Sequence, residues 1–314
     1  MKKNLTTGSS KSTWLIKLLV LITLFSGLDA KTEEHNLSFH AEHNEKYQKK
    51  VEVIEKFLQT TVPGLDISYR EVFDALIEEG QEIYIKGGLI RDLLSPNPQI
   101  PHDVDFVFSG TKEEILAVIH KHQWQHTTQP DYSLITIGDY TRICIEGVSK
   151  KGFLPTNEHQ LEFTINNIFY HVNSRSFTNN SDESFEDLDY NRLRIQAKDW
   201  REWLYGSHGN YRYAKLFRVW KMIGKGYIYQ INFESFIKDE TIAAQENDSE
   251  RFNEELLRYL GNHYESFGDI SRGVLSVMGN EWQSEHLLPI EVEAEKKSHT
   301  VMDEMKEFTF FKKS

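Results

Sequence analysis

The stretch that organises the chain is IYIKGGLIRDLLSPNPQIPHDVDFVF, Ile83 to Phe108. Its apolar start predicts a strand, and Gly87 with Gly88 then predicts a tight turn into a helix. Glycine permits close backbone approach, and the start of a helix presents unpaired N–H groups to an anion. The turn is therefore suited to cradle a phosphate, although an ordinary tight turn explains the two glycines equally well.

The end of this stretch carries two aspartates on a predicted strand, Asp103 to Phe108. Residues two apart in a strand point to the same face, so Asp103 and Asp105 project together, opposite the core-facing Phe106. Two adjacent carboxylates suit Mg²⁺, which takes one or two carboxylates together with substrate phosphates. A metal pair there could activate a hydroxyl and clamp a phosphate. Taken alone, the aspartate pair is better explained as a solvated strand end, because short motifs often occur by chance.

Arg91 and Asp92 fall in the first helical turn after the glycines. Arg91 is suited either to contact a phosphate or to pair with a carboxylate, for example in a bridge to the aspartate strand.

The order strand, Gly-Gly, helix with Arg-Asp, loop and Asp-x-Asp strand resembles the head of the class II tRNA nucleotidyltransferase and bacterial poly(A) polymerase family. This family is a branch of the polymerase β nucleotidyltransferase superfamily. The residues that carry the resemblance are Gly87, Gly88, Arg91, Asp92, Leu93, Leu94, Asp103, Val104 and Asp105, followed by the helix start at Thr111 to Ile115.

The resemblance implies an α+β fold, in which a small mixed or antiparallel sheet with flanking helices is followed by a helical neck domain. It implies Asp103 and Asp105 as catalytic residues that hold two Mg²⁺ ions. It also implies four nucleotide-binding residues in the turn and its helix, Gly87, Gly88, Arg91 and Asp92. The implied substrate is a nucleoside triphosphate, ATP in the first instance.

A second block, EFTINNIFY from Glu162 to Tyr170, resembles the family segment Arg-Asp-Phe-Thr-Ile-Asn-Ala, which helps to bind triphosphate and sugar. Thr164 and Asn166 thereby become nucleotide-binding candidates. The chain departs from the family at Leu161 and Glu162, where the family has arginine and aspartate. For Asn166, the capping of a turn is an equally good interpretation.

The superfamily often uses a third carboxylate on a neighbouring strand, and Glu146 is the catalytic candidate for that role. In the predicted strand Thr141 to Glu146, Cys144 and Glu146 alternate with Ile143 and Ile145. A solvated glutamate at a strand end is the alternative.

The predicted helix Tyr211 to Gly226 resembles the neck helix of the family, which normally carries Glu-Asp-x-x-Arg for recognising the incoming base. Tyr211 and Arg212 stand in place of Glu-Asp, and Lys215 stands in place of the arginine. Lysine lacks the planar fork of arginine, so the family's mode of base selection is not supported.

The same helix carries five basic residues, Arg212, Lys215, Arg218, Lys221 and Lys225. Together they form either a surface for triphosphate or an RNA backbone, or a solvated face opposite the apolar stripe. Lys215 and Arg218 are the nucleotide-binding candidates among them. A later predicted helix, Ser249 to Leu260, also resembles a neck segment of the family.

The predicted organisation is a signal peptide at 1–30, a linker and helix at 31–66, a head at 67–195, a helical neck-like domain at 196–283 and a tail at 284–314. Two capping boxes predict helix starts, Ser68 with Glu71 and Thr111 with Glu114. The acidic segment from Thr178 to Asp189 predicts an exposed loop. From Ser284 onward no element is predicted.

The N-terminus has lysines followed by an apolar run, Trp14 to Ala30, which is typical of a secretory signal peptide cut after Ala30. An uncleaved membrane anchor over residues 14–30 is the alternative. Export is therefore expected, with no stable membrane association once the signal is cleaved. The sequence gives no prediction of oligomeric state.

The chain is acidic, with a formal charge of −12 that would become −15 on loss of residues 1–30. RNA binding would therefore need a local basic surface, because the overall field does not attract nucleic acid. The single cysteine excludes an internal disulfide. His120, His122 and His126 have mixed spacing and predict a surface cluster rather than a metal site.

Three functional hypotheses follow. The first is a metal-dependent nucleotidyltransferase whose acceptor, by resemblance, is an RNA 3′ end. The second is an exported factor that transfers a nucleotide to a protein or a small molecule. The third is a catalytically silent nucleotide-binding module, which the departures at Glu162 and Lys215 favour.

Overall fold

The computed structural model describes residues 47–101, 103–128, 135–139, 144–148, 162–179, 183–195, 199–206, 212–229, 231–262, 264–291 and 293–295. The predicted signal peptide and most of the predicted linker lie outside these residues. Within the described ranges, none of the helices is long and apolar enough to cross a bilayer.

The head is built on one mixed sheet. Its strands are β1 (Ile83–Lys86), β2 (Asp105–Phe108), β3 (His126–Thr128), β4 (Ile135–Ile137), β5 (Cys144–Val148), β6 (Ile168–His171) and β7 (Ser176–Asn179). They follow the order β3-β4-β5-β2-β1-β6-β7. Neighbours pair antiparallel except β2 and β5, which are parallel. The predicted mixed sheet is confirmed.

Helices flank the sheet and make up the rest of the described chain. They are α1 (47–58), α2 (Tyr69–Glu78), α3 (Gly88–Leu94), α4 (Lys112–Lys121), α5 (Ser184–Asp189), α6 (Trp200–Tyr205), α7 (Arg212–Gly224), α8 (Ile231–Asn247), α9 (Ser249–Asn262) and α10 (Phe267–Met278). Residues 280–291 are also helical and include a π-helical turn at Gln283–Leu287. Short 3₁₀ helices lie at Thr164–Asn166 and Tyr264–Ser266.

Both predicted capping boxes are confirmed. At the start of α2, Glu71 N donates to Ser68 Oγ over 3.2 Å, and Ser68 N donates to Glu71 Oε2 over 2.7 Å. The same reciprocal pair, Thr111 with Glu114, begins α4. Each box satisfies two backbone donors that a helix start otherwise leaves unpaired.

The register of β1 and β2 sets the geometry of the site. The strands are antiparallel, with Ile85 opposite Phe106 and Lys86 opposite Asp105. The ring of Phe106 lies in the core, edge to face with Phe73 at a centroid distance of 5.0 Å. The end of β1, where the chain enters the glycine turn, therefore lies beside the start of β2, where the aspartates are.

The neck is organised by a close crossing of α7 and α10. A Cβ atom built on Gly224 would lie 1.7 Å from the carbonyl oxygen of Asp269, and one built on Gly273 would lie 1.9 Å from that of Trp220. Both distances are impossible for a real side chain, so the two backbones touch only because both residues are glycine. Trp220 packs edge to face on Trp282 on the same side of the neck.

One prediction from the sequence is wrong. The segment Thr178 to Asp189, predicted as an exposed loop, includes the end of β7 and the helix α5, where Phe185 and Leu188 are buried. Beyond residue 283, where no element was predicted, residues 284–291 are helical, and Leu287 and Ala294 are buried in the core. One continuous apolar core joins the head and the neck.

Candidate nucleotide and metal site

The glycine turn joins β1 to α3 with a backbone that side chains resist. Gly87 has φ 71° and ψ −128°, a conformation that essentially only glycine adopts, and it precedes the first residue of α3. A Cβ atom built on Gly87 would lie 3.6 Å from Asp105 Oδ2, and one built on Gly88 would lie 3.8 Å from Asp103 Oδ1. The turn and the aspartate pair therefore meet at one edge of the sheet.

The two aspartates occupy different backbone positions. Asp105 is the first residue of β2, between Lys86 of β1 and Cys144 of β5. Asp103 precedes the strand, one residue before the buried Val104. Both carboxylates nevertheless approach the glycines, as the sequence spacing predicts for a shared site.

The third predicted carboxylate, Glu146, lies on β5. The parallel register places Cys144 opposite Asp105, so the backbone of Glu146 follows two residues further along the neighbouring strand. The side chains of β5 lie outside the described part of the structure. Glu146 therefore stays a prediction.

The described residues contain no group of three or more histidine, cysteine or carboxylate side chains that could hold a metal. A magnesium site would rest on Asp103 and Asp105. The fit of these residues to magnesium is chemical: their oxygens are hard ligands, and the adjacent glycines leave room that a side chain would fill.

Arg91 and Asp92 lie buried beneath the turn and are 6% and 8% exposed. Arg91 Nη1 donates to Asn166 Oδ1 over 2.7 Å, and a Cβ atom on Gly88 would lie 3.6 Å from Arg91 Nη2. Lys225 Nζ lies 2.9 Å from Asp92 Oδ1. Both side chains thus contact other parts of the protein from within the helix that begins at the turn.

The segment Thr164–Asn166 is held from two sides. Asn166 accepts from Arg91, while the Thr164 hydroxyl donates to Asp187 Oδ2 over 2.6 Å. Thr164 is only 4% exposed, so its hydroxyl has an internal partner. Asn166 is half-buried and lies nearer the glycine turn through its bond to Arg91.

Asp187 is a residue that the sequence did not single out. It is fully buried, and its carboxylate contacts Arg194 Nη2 at 3.0 Å and Arg192 Nε at 3.2 Å besides the Thr164 hydroxyl. The acidic composition around it predicted exposure. The apolar Phe185 and Leu188, three residues apart, were the available signal of a buried helical face.

Glu162 is buried and paired with the neck. Its carboxylate accepts from Arg218 Nη1 of α7, while the Arg218 side chain remains 43% exposed. Burial raises the pKa of the Glu162 carboxyl, and the Arg218 guanidinium acts in the opposite direction. Glu162 also has φ 40°, which is uncommon for a residue other than glycine.

Three basic residues of α7, Arg212, Lys215 and Arg218, donate hydrogen bonds to acceptors within the protein. Lys215 is 4% exposed, and its ammonium donates to the carbonyl oxygen of Trp203. Burial lowers the pKa of Lys215. Arg212 Nη2 contacts Glu240 Oε2 at 3.1 Å. The Lys215 ammonium therefore has an internal acceptor and is almost fully buried.

The predicted histidine cluster lies at the end of α4 and the start of β3. His120 and His122 are exposed, and His122 stacks on Trp124 at 4.9 Å. His126 lies 5.2 Å from His120 between ring centroids.

Together, the sheet order, the glycine turn against an aspartate pair and the following helices define a mixed-sheet head joined to a helical neck. Two of the solved structures that share this fold illustrate the likeness. One is a tRNA nucleotidyltransferase complexed with a primer tRNA and an incoming ATP analogue, with a TM-score of 0.50 and 16% identity over 69% of this chain. The other is a CCA-adding enzyme in complex with ATP, with a TM-score of 0.50 and 16% identity over 70% of this chain.

The match covers 62% of the first protein and 52% of the second. At this identity the likeness establishes the fold, and it confirms at that level the resemblance inferred from the sequence. No protein-family model matches the sequence, and no curated protein sequence is significantly similar to it.

Proposed function

We propose that the chain is a metal-dependent nucleotidyltransferase that transfers a nucleoside monophosphate from a nucleoside triphosphate to an acceptor hydroxyl. The observation that carries the proposal is the approach of Asp103 and Asp105 to the positions that side chains would take on Gly88 and Gly87. A phosphate that enters over the glycines would come directly beside two carboxylates.

Asp103 and Asp105 would hold magnesium in this scheme. Bound magnesium would neutralise phosphate charge and increase the acidity of the attacking hydroxyl. The acceptor hydroxyl releases its proton to water as its oxygen forms a bond to the α-phosphorus, the bond from that phosphorus to the bridging oxygen of the β-phosphate breaks, and pyrophosphate leaves. Positioning and charge neutralisation account for most of the catalysis in such transfers.

The remaining roles belong to residues of this chain. The backbone at Gly87 and Gly88 would admit the triphosphate, because no side chain stands there. Arg91 would fix the orientation of Asn166 through their 2.7 Å hydrogen bond. The family resemblance supports ATP as the nucleotide and an RNA 3′ end as the acceptor, in line with the ligands of the two matched structures.

Labelled nucleotides test this proposal. The purified chain is incubated with magnesium and each α-³²P nucleoside triphosphate, with RNA in one sample and cell lysate in another. We expect label on RNA, and loss of labelling in Asp103→Ala. Label on protein with none on RNA would rule out the RNA acceptor, and turnover unaffected by Asp103→Ala would rule out the metal assignment.

Two alternatives have specific support. Transfer to a protein or a small molecule is favoured by the signal-like run at residues 14–30, because an exported enzyme meets tRNA only inside another cell. A silent nucleotide-binding module is favoured by the internal partners of Lys215 and Arg218. Nucleotide binding without turnover in the labelling experiment would identify the silent module.

A further inference from the structure

We propose that Lys225, at the end of the neck helix, is a positioning residue for the nucleotide turn and acts through Asp92. The inference rests on the proposed nucleotidyltransferase function. The contact joins the head to the neck: Lys225 Nζ lies 2.9 Å from Asp92 Oδ1, and the two side chains are 6% and 10% exposed.

Asp92 lies in the short helix that starts at the glycines. α3 runs only from Gly88 to Leu94, so the turn and Asp92 belong to one rigid unit of about two helical turns. A displacement of Asp92 therefore also displaces the backbone at Gly87 and Gly88, where the triphosphate would lie.

Lys225 is itself held in a fixed position. Gly226 has φ 90°, Gly226 N donates to Ile223 O over 2.9 Å, and Tyr227 N donates to Met222 O over 3.1 Å. These two bonds form a Schellman motif, which ends α7 sharply after Lys225. The neck thus presents the lysine from a defined end rather than from a mobile loop.

The chain that follows is bound to the head. Ile228 N donates to Asn191 O over 2.6 Å, and Leu193 N donates to Ile228 O over 2.7 Å. Tyr227, the residue before Ile228, is buried, and its hydroxyl has no hydrogen-bond partner among the described residues. The chain after Lys225 is therefore fixed to the head, as Lys225 itself is through Asp92.

The charges beneath the turn favour an anion above it. Arg91 Nε lies 3.4 Å from Asp92 Oδ1, and the same carboxylate oxygen receives Lys225. Two cations thus share one carboxylate in a buried place, where a positive potential is screened weakly by water. Loss of Lys225 would remove positive charge and would also release Asp92 from the neck.

A thermodynamic cycle separates this role from a purely structural ion pair. ATP binding with magnesium is measured by titration calorimetry on the full chain and on Lys225→Met, Asp92→Asn and the double variant, at a temperature where circular dichroism shows each to be folded. We expect each single change to weaken binding about tenfold, in Asp92→Asn despite the loss of a negative charge, because the turn is released from the neck. The double variant should bind no more weakly than either. Lys225→Arg should restore binding to within about threefold of wild type.

The surface pair Lys121 and Glu79 supplies the matched control, because Lys121→Met removes an exposed lysine from an ion pair outside this site. This control should bind ATP as wild type does. Unchanged ATP affinity in Lys225→Met would overturn the inference alone. If that variant does not fold, wild-type affinity in Asp92→Asn would overturn it. Absence of ATP binding by wild type would overturn both this inference and the proposed function.

Discussion

The charged residues beside the glycine turn of the head differ in their surroundings from those of the neck helix α7. Asp103 and Asp105 approach a turn formed by Gly87 and Gly88, which have no side chains. In α7, the basic residues Lys215 and Arg218 each have an internal partner, and Lys225 at its end is paired with Asp92. Charged residues thus form a candidate site in the head, whereas in the neck they form bonds that hold the protein together.

The difference lies in what surrounds each charge. A buried charge must be paired or hydrogen-bonded, because desolvation without compensation is costly. Lys215 and Lys225 satisfy that requirement with protein partners. Asp103 and Asp105 instead approach the positions that side chains would take on the two glycines, where a bound cation would complement their oxygens. Substitutions in the two regions should therefore separate activity from stability.

The largest effect is expected at the aspartates beside the glycine turn. Asp105→Asn should lower turnover by about a thousandfold, the upper range for removal of a preorganised electrostatic group and equal to about 4 kcal/mol. Steady-state labelling measures turnover, and urea unfolding should show a change below about 1 kcal/mol. Asp189→Asn, at a 46% exposed carboxylate, is the control. A large loss of stability with retained turnover would reverse the assignment of this region.

Asp187 should behave as an attachment. Asp187→Asn should lower the free energy of unfolding by about 3 kcal/mol, because the buried carboxylate holds Thr164, Arg192 and Arg194. Asp189→Asn in the same helix should change it by less than about 0.5 kcal/mol. Urea unfolding of both variants makes the comparison. Equal effects at the two positions would mean that α5 is not packed as described.

Substitution of Gly87 and of Gly88 should affect folding stability differently. Gly87→Ala should lose about 1–3 kcal/mol of stability, because its φ of 71° with ψ −128° strains any side chain. Gly88→Ala should keep its stability within about 1 kcal/mol, because the new Cβ would meet its neighbours at ordinary contact distances.

Nucleotide binding should respond differently. Gly88→Ala should weaken ATP binding although it folds normally, because the methyl group occupies the approach to the turn. Calorimetric titration checks this point. Normal ATP affinity in Gly88→Ala would show that the phosphate lies elsewhere.

The smallest effect concerns Glu162 and pH. Burial raises the pKa of its carboxyl above the ordinary value of 4.5. Such a group stabilises the folded state below pH 4.5 and loses that contribution as pH rises through its folded pKa. Glutamine does not titrate, so the stability of wild type relative to Glu162→Gln should decrease from acid to neutral pH. Urea unfolding over a pH series measures the difference, and an increase would mean that Arg218 dominates.

Local patterns in the sequence were sufficient to predict the main features of the head. The capping boxes, the glycine turn and the alternation in β1 and β2 depend on neighbours within a few residues, and each was predictable. The hydrogen-bond partners of the basic residues in and after α7 were not predictable. Helical periodicity assigns a residue to a face of its helix, but it does not identify an acceptor that is far away in the sequence, as Asp92 is from Lys225.

Buried polar residues account for the main errors. The helix α8 lies in the predicted helical domain, but its bounds were not predicted. Its buried residues include the polar Glu240 and Thr241. Glu240 accepts from Arg212, and the Thr241 hydroxyl donates to the carbonyl oxygen of Ile237 over 2.8 Å. Asp187 misled the prediction of α5 in the same way. A polar residue that is satisfied inside the protein cannot be told from a solvated one by composition.

The crossing of α7 and α10 limits which substitutions the protein tolerates. Gly273 touches the backbone of α7, and Gly224 in that crossing is the immediate neighbour of Lys225, which reaches Asp92 beneath the turn. A side chain at Gly273 would push apart the helices that place the lysine. A genetic screen for inactive alleles should therefore recover substitutions in α10 as well as in the aspartate strand. Gly273 should tolerate as few substitutions as the glycines and aspartates of the head.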